Sequence, residues 1–269
     1  MRKGIASFRM YNASVKTAEA WNSLFSRLFA ELELQIDIVA HAWPLPLTEL
    51  WAREDLACGF MCGWPFVNET DHQIVPLAVP VPEPAWYAGL HRYRSEFLVN
   101  RSSAACSLAT AFGGRIGWMS VDSQSGYQAP RAALGALSND GKPLFAASIG
   151  PLHTPARALD ALNAGEVDVV AVDCFYLDLA RHHAPESVAN FRTIGYTAWM
   201  PIPLLVASSA RPESEIAAIR EALVSLHTVA GYDALMRDVL VREFRMPEIA
   251  AYRSLIEMAE AFPSYDTIR

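Results

Sequence analysis

Apolar residues in the first part of the chain alternate between the spacing of helices and that of strands. From Val15 to Leu32 they fall three or four residues apart, which predicts an amphipathic helix with one buried face. Apolar runs at Lys3–Arg9, Ile36–Ala40 and Leu56–Cys62 predict strands, and Leu45–Arg53 predicts a short second helix. The order β-α-β-α-β predicts parallel strands with helices packed on the sheet.

A second alternating series follows a cluster of prolines at positions 76, 80, 82 and 84. Because proline cannot donate to a strand ladder, this cluster is expected outside any paired central strand and marks a change of direction. The predicted strands of the second series are 95–100, 115–120, 144–149, 167–172 and 191–195. The predicted helices between them are 103–112, 125–137, 155–163 and 175–183. A further strand is predicted at 201–208, and the chain beyond Pro212 has helical periodicity.

The two series can form two sequential domains, or two lobes between which the chain crosses twice. Residues 208–269 contain no convincing strand, and as a return segment they can cover the exposed sheet of the first lobe. We therefore favour an α/β fold with two Rossmann-like lobes joined by two crossing strands and with the C-terminal helices packed on lobe 1. Lobe 1 then comprises 1–95 and 206–269, and lobe 2 comprises 96–205.

Composition excludes several classes of function. The chain has 269 residues, of which 52% are hydrophobic, so it can bury a core. Its 29 acidic and 22 basic residues give a net charge of −7, which disfavours a nucleic-acid partner. No apolar run is as long as a membrane span, and no export signal is visible. The four cysteines lack paired metal-ligand spacing and are expected to be buried free thiols, and we predict no metal and no cofactor.

The segment Arg115–Leu134 is the most informative part of the sequence, since it predicts a strand, a turn rich in hydroxyls and glycine, and then a helix. The first N–H groups of a helix have no internal acceptor, and the helix dipole adds roughly half a positive charge at that end. Ser123, Ser125 and the amides of Gly126 and Tyr127 are therefore predicted to hold an oxyanion. The alternative is that the serines only cap the helix.

A second strand, Glu166–Asp173, ends in a carboxylate. Asp173 is expected either to contact a ligand at the carboxyl edge of the sheet or to cap the helix that begins near Phe175.

Five segments, in this order, resemble the phosphate/phosphonate-type substrate-binding proteins of ABC importers, which belong to the two-lobed, type II periplasmic-binding-protein superfamily. They are Met10-Tyr11, Asp55–Pro65, Tyr93–Val99, Asp122–Pro130 and Ala164–Asp173. The resemblance runs from about residue 3 to residue 230, and its most specific motif is the Ser-x-Ser-Gly-Tyr turn.

The resemblance implies a function in transport without chemistry. A small oxyanion, similar to phosphonate, phosphate or phosphite, would bind in a cleft between the lobes that closes by a hinge motion, and an ABC permease would be the partner. The location would be periplasmic if an export signal was removed, and cytoplasmic if the chain is full length.

The resemblance also implies a set of ligand-binding residues. Tyr11 and Trp64 would close on the oxyanion from lobe 1, and Asp173 would face it, accept a hydrogen bond from P–OH or an amine, and repel sulfate. Gln124 stands where relatives usually carry a small hydroxyl residue, and His153 where they often present an acid or histidine. The complete predicted set is Tyr11, Trp64, Ser123, Gln124, Ser125, Gly126, Tyr127, His153 and Asp173.

The main alternative is a cytoplasmic enzyme on the same two-lobed fold, similar to the chorismate-derived menaquinone-precursor dehydratases and acting on a small carboxylate. His153 and Asp173 would then be the candidates for proton transfer, whereas a function in transport predicts no catalytic residue. A serine hydrolase is disfavoured, because Ser125 lacks the flanking glycines of a nucleophile elbow. A one-chain repressor is disfavoured because no helix-turn-helix segment precedes the first strand.

Overall fold

The computed structural model describes residues 3–68, 73–138 and 142–261. The chain divides into two compact units. Unit 1 comprises Met1–Arg92 and Pro201–Ile249, and unit 2 comprises Tyr93–Met200 and Ala250–Arg269.

Both units contain helices and strands, which confirms the predicted α/β class. The strands are β1 (Gly4–Ser7), β2 (Ile36–Ile38), β3 (Leu56–Met61), β4 (Ile74–Pro82), β5 (Arg92–Tyr93), β6 (Ser95–Asn100), β7 (Arg115–Gly117), β8 (Ala147–Ile149), β9 (Val169–Asp173), β10 (Phe191–Tyr196), β11 (Met200–Pro201), β12 (Leu204–Ser208) and β13 (Val241–Arg245). The α-helices are α1 (Val15–Glu31), α2 (Leu47–Trp51), α3 (Gly63–Asn68), α4 (Ala129–Leu137), α5 (Pro155–Asn163), α6 (Cys174–His183), α7 (Glu213–Ser225), α8 (Asp233–Asp238) and α9 (Ile249–Glu260). A π-helical turn, Gln124–Gln128, directly precedes α4, and short 3-10 turns lie at Arg9–Tyr11, Ala85–Tyr87, Ala109–Ala111, Pro185–Ser187 and Leu226–Thr228.

Unit 1 is built on a six-stranded mixed sheet in the order β13-β4-β12-β3-β1-β2. Strand β1 runs parallel to β2 and to β3, as the β-α-β-α-β pattern predicts. The strands β12, β4 and β13 extend the sheet in antiparallel pairs. The buried face of α1 packs on this sheet, where the rings of Phe8 and Phe25 stack with their centroids 4.0 Å apart.

Unit 2 is built on a five-stranded sheet in the order β10-β6-β9-β7-β8. Strand β7 is parallel to β8 and β9, and β6 is antiparallel to β9. Phe97, Ile116 and Val169 belong to its hydrophobic core. Because β7 and β9 are parallel, the turn that follows β7 and the helix that follows β9 begin at the same edge of the sheet.

The prediction that the proline cluster lies outside a paired strand is wrong. The prolines at positions 76, 80 and 82 lie inside β4, which pairs with β12 on one side and with β13 on the other. Both pairings contain a register irregularity. Such irregularities interrupt the ladder and allow a strand to carry residues that have no N–H to donate.

The predicted helix at 103–112 is also wrong, since only the short turn Ala109–Ala111 is helical there. Arg192 of β10 donates hydrogen bonds to the carbonyls of Ser103 and Ala105. The amide of Leu108 donates to the carbonyl of Ile194 in the same strand. These tertiary hydrogen bonds hold the segment against β10 in place of the bonds that a helix would form.

The C-terminal region departs from the prediction in two respects. It contains the edge strand β13, in which buried Val241 and Phe244 are separated by two more exposed charged residues. The last helix, α9, was expected on lobe 1, but residues from Ala250 onward belong to unit 2. The Arg131 guanidinium of α4 donates to the carbonyl of Ala259 at 2.7 Å, which ties α9 to unit 2.

Candidate anion-binding site

The turn after β7 begins a helical segment that runs from Gln124 through Leu137. Ser123 is the N-cap, and its hydroxyl accepts a hydrogen bond from the amide of Gly126 at 3.0 Å. The Ser123 carbonyl accepts from the amides of Tyr127 and Gln128 at 3.1 and 3.0 Å. Ser123 therefore has the capping role that the sequence left open, and the amides of Gly126 and Tyr127 both make bonds within the turn.

The donors that remain at this helix start lie one and two residues after the cap. The N–H groups of Gln124 and Ser125 come first in the helix and so have no intrahelical acceptor. Within residues 3–68, 73–138 and 142–261, neither amide forms a hydrogen bond, and neither does the Ser125 hydroxyl. Together with the helix dipole, these three donors can receive the oxygens of an anion.

Ser125 is held in place by β6. Its carbonyl accepts a hydrogen bond from the Ser95 hydroxyl at 2.7 Å, and the Ser95 amide donates to the Thr197 hydroxyl at 2.9 Å. Ser95 is the register partner of Asp173 in the β6–β9 pair. The structure therefore brings Ser125, Ser95 and Asp173 together at one edge of the sheet.

Asp173 caps α6, which was one of the two roles predicted for it. One carboxylate oxygen, Oδ1, accepts hydrogen bonds from the amides of Phe175 and Tyr176 at 2.7 and 3.2 Å. Burial, with a smaller contribution from the negative charge of Asp160, raises the pKa of the Tyr176 phenol to about 12. That phenol is therefore neutral at physiological pH, and Asp173 is the acidic residue at this helix start.

The side chain of Met119 leaves no room for a Cβ atom at position 126, which is a glycine. A Cβ atom at position 126 would lie 2.6 Å from the Met119 sulfur, and the Met119 amide donates to the Gly126 carbonyl at 3.2 Å. The backbone of the turn therefore lies directly against β7's extension, with no room for a side chain. The sequence predicted an amide role for Gly126 and gave no indication of this contact.

Tyr127 is part of the core of unit 2. Its ring packs edge-on against Trp118, with 5.2 Å between the centroids. The side chain of Gln128 donates to the carbonyl of Val121 at 2.7 Å. These two contacts fix the helix start, so Tyr127 supports the turn through packing.

Gln124 is fully buried, with 0% of its surface exposed. Its Nε2 donates to the sulfur of Met200 at 3.1 Å, and its Oε1 has no hydrogen-bond partner among the residues that the structure describes. A buried acceptor without a partner costs about 1–3 kcal/mol. The first residue of the turn therefore carries an unused acceptor beside an unused donor, its own N–H.

His153 is exposed and follows β8 with a left-handed backbone, φ +67°. Its amide donates to the carbonyl of Met119 at 3.1 Å. Non-glycine residues seldom adopt this conformation, which recurs at functional sites. The structure thus joins His153 to the residue that packs on Gly126, and ligand contact by its imidazole stays a prediction.

Arg94 is a cation near this edge of the sheet that the sequence did not single out. Its guanidinium carbon lies 3.7 Å from the centroid of the Tyr196 ring and 4.6 Å from that of the Trp199 ring, and its amide contacts the sulfur of Cys174. Arg94 directly precedes Ser95, the first residue of β6, whose hydroxyl donates to the carbonyl of Ser125. The only available signal was an arginine inside the crossover segment Tyr93–Val99.

The two predicted contacts from lobe 1 lie in unit 1. Tyr11 is 1% exposed and packs edge-on against Phe60, with 4.8 Å between the ring centroids. Trp64 is half-buried in the first turn of α3. Tyr11 thus has the core position that aromatic residues in such loops often take. The role of both residues in ligand binding stays a prediction.

Comparison with known proteins gave one family and many structures. The family of phosphonate periplasmic substrate-binding proteins of ABC transporters matches residues 8–252. A binding protein component of an ABC phosphonate transporter from Pseudomonas aeruginosa has a TM-score of 0.77 and 14% identity, over 96% of this chain and 87% of that one. PhnD1 from Prochlorococcus marinus, in complex with methylphosphonate, has a TM-score of 0.75 and 14% identity, over 97% and 98% of the two chains.

A third similar structure is the periplasmic aliphatic sulphonate binding protein SsuA from Escherichia coli. Its TM-score is 0.55 at 18% identity, over 97% of this chain and 79% of that one. These structural matches identify the type II periplasmic-binding-protein fold. No curated protein matches the chain. Within the described part of the chain, no helix combines the length and the apolar character needed to cross a bilayer.

Proposed function

Because this chain belongs to the family of phosphonate periplasmic substrate-binding proteins of ABC transporters, we propose that unit 2 binds the oxyanion of its ligand at the start of the helical segment 124–137. The family is non-catalytic and serves import, so the comparisons support transport and give no support to the alternative of a dehydratase-like enzyme. The ligand proposed is a phosphonate, with phosphate and phosphite as related oxyanions.

One observation carries the placement of the oxyanion. The N–H groups of Gln124 and Ser125 and the Ser125 hydroxyl face no acceptor within the described residues, at the positive end of a helix. They also lie at the carboxyl edge of the parallel strands β7 and β9, where open α/β sheets bind their ligands. Methylphosphonate, which is bound by PhnD1 from Prochlorococcus marinus, is the first ligand to test.

The proposal also covers the location of the protein and its partner. Members of the family are periplasmic and deliver a small molecule to an ABC permease. We propose the same location and the same kind of partner for this chain.

The test is calorimetric titration of the wild-type protein and Ser125→Ala with methylphosphonate, phosphate, phosphite, sulfate and an aromatic carboxylate. Ser125→Ala is expected to weaken methylphosphonate binding by about 1–3 kcal/mol, because a charged acceptor loses a donor. Ser138→Ala is the matched control, since this serine near the other end of α4 donates to the carbonyl of Lys142. If Ser125→Ala binds methylphosphonate with unchanged affinity, this serine is not part of the site. If the protein binds only carboxylates, the alternative of a dehydratase-like enzyme is supported.

A further inference from the structure

Gln124 carries an acceptor that nothing in the described part of the chain uses. The side chain is completely buried, its Oε1 has no partner, and its Nε2 reaches only the sulfur of Met200. Sulfur is a weak acceptor, so this hydrogen bond contributes little to the orientation of the carboxamide. A ligand group that donates a hydrogen bond to Oε1 therefore competes with only one weak hydrogen bond of the carboxamide.

Covalent structure limits the distance between this acceptor and the proposed oxyanion site. Oε1 and the backbone N–H belong to the same residue, so they are separated by the length of one glutamine side chain. A ligand that places its anionic oxygen on the amides of Gln124 and Ser125 can therefore reach Oε1 with a neighbouring group when the carboxamide turns toward the helix start. An ionised oxygen there would meet an acceptor and be repelled, whereas a group bearing hydrogen would be bound.

We propose that Gln124 selects ligands that carry a hydrogen-bond donor beside the oxyanion, and that this donor is the P–OH group of a singly ionised phosphonate. The proposal rests on the proposed function and specifies its substrate class. It predicts discrimination against sulfonates of the same shape and charge, because a sulfonate has three ionised or acceptor oxygens and no proton.

The experiment compares methylphosphonate with methanesulfonate by calorimetric titration, at a pH where methylphosphonate is singly ionised. The two ligands then differ chiefly in one hydrogen. The wild-type protein is expected to bind methylphosphonate at least about tenfold more tightly. In Gln124→Met, which keeps the chain length and removes the carbonyl, the ratio is expected to fall to within about threefold. Ser125→Ala is the matched control, since it removes a donor from both oxyanions and should leave the ratio near the wild-type value.

Two further arms use the wild-type protein alone. As the pH rises through the second ionisation of methylphosphonate, its affinity is expected to fall, while the affinity for methanesulfonate stays constant. Aminomethylphosphonate tests the other source of a donor. If Gln124 binds an ammonium group, the wild-type protein is expected to bind aminomethylphosphonate about tenfold more tightly than methylphosphonate, and Gln124→Met is expected to lose this difference. That result would support selection for a hydrogen-bond donor and would identify the ammonium, in place of P–OH, as the donor.

The proposal is overturned if Gln124→Met leaves both ligand ratios unchanged, or if wild-type protein binds all three ligands with equal affinity. The second result needs no variant, so it stands even if Gln124→Met does not fold. Failure of wild-type protein to bind any phosphonate would instead overturn the proposed function itself.

Discussion

The carboxylate of Asp173 both caps a helix and places a negative charge beside the proposed oxyanion site. Asp173→Asn separates the two roles, because asparagine is also a favoured N-cap residue but carries no charge. We expect this variant to fold and to gain affinity for sulfate relative to methylphosphonate, as repulsion of a fully ionised anion is removed. Competition titration measures the ratio, with Glu166→Gln as a control at an exposed acid. An unchanged sulfate affinity would contradict the repulsion.

The lack of space for a side chain at Gly126 leads to a second prediction for a single residue. Gly126→Ala is expected to lower the free energy of unfolding by about 1–3 kcal/mol, because the added methyl overlaps Met119, and to weaken methylphosphonate binding by displacing the turn. Urea denaturation and calorimetry measure the two effects. Gly195→Ala is the control, since its nearest neighbour, the Leu108 Cβ, lies at an ordinary 3.5 Å. Wild-type stability in Gly126→Ala would show that Met119 moves away freely.

At the scale of elements, the start of β7 is joined to the start of β9 by one ion pair. Asp168 accepts hydrogen bonds from the Arg115 side chain and from its backbone amide, the latter at 2.8 Å. The hydrogen bond from the Arg115 side chain is the main cause that lowers the pKa of Asp168 from its ordinary value. The pair lies directly before the register partners Ile116 and Val169, at the start of the β7–β9 pairing.

The lowered pKa predicts a dependence of stability on pH. Since the folded pKa of Asp168 lies below the unfolded value of about 3.9, its contribution is fully present above that value and is lost as the pH falls through the folded pKa. Asp168→Asn is expected to be less stable than wild type at neutral pH by under about 1 kcal/mol, since the pair is largely exposed. The difference should shrink in acid. Urea denaturation across pH measures it, and a constant difference would contradict the assignment.

At the scale of the whole molecule, the four cysteines are free and differ in exposure. Cys106 is exposed, which corrects the expectation that all four are buried, while Cys58, Cys62 and Cys174 are buried. Burial also raises the pKa of the Cys58 thiol, which keeps it protonated. One thiol is therefore expected to react rapidly with a thiol reagent in the native protein, and four in denaturant. Cys106→Ser should abolish the rapid phase, and several rapid thiols in native wild type would contradict this burial.

The amphipathic helix α1, the parallel strands β1–β3 and a helix start at the turn that carries Ser123 and Ser125 followed from the sequence. Each depends on side chains within a few positions of one another, through periodicity or a local hydrogen bond. The candidate site was also partly predictable, because a hydroxyl-bearing turn between a strand and a helix indicates a helix N-terminus. Which amides of that turn stay available was not predictable, since it depends on how the π-helical turn distributes its hydrogen bonds.

The sequence by itself determined the α/β class, the two βα series and a helix start at the turn that carries Ser123 and Ser125, because these are properties of local spacing. Tertiary structure alone decided that prolines enter a paired strand, that α9 belongs to unit 2, and that Arg94 stacks on two aromatic rings. It also decided that Met119 excludes a side chain at Gly126 and that Gln124 keeps an unused acceptor. Most of these features depend on residues far apart in the chain, whose contacts no local pattern encodes.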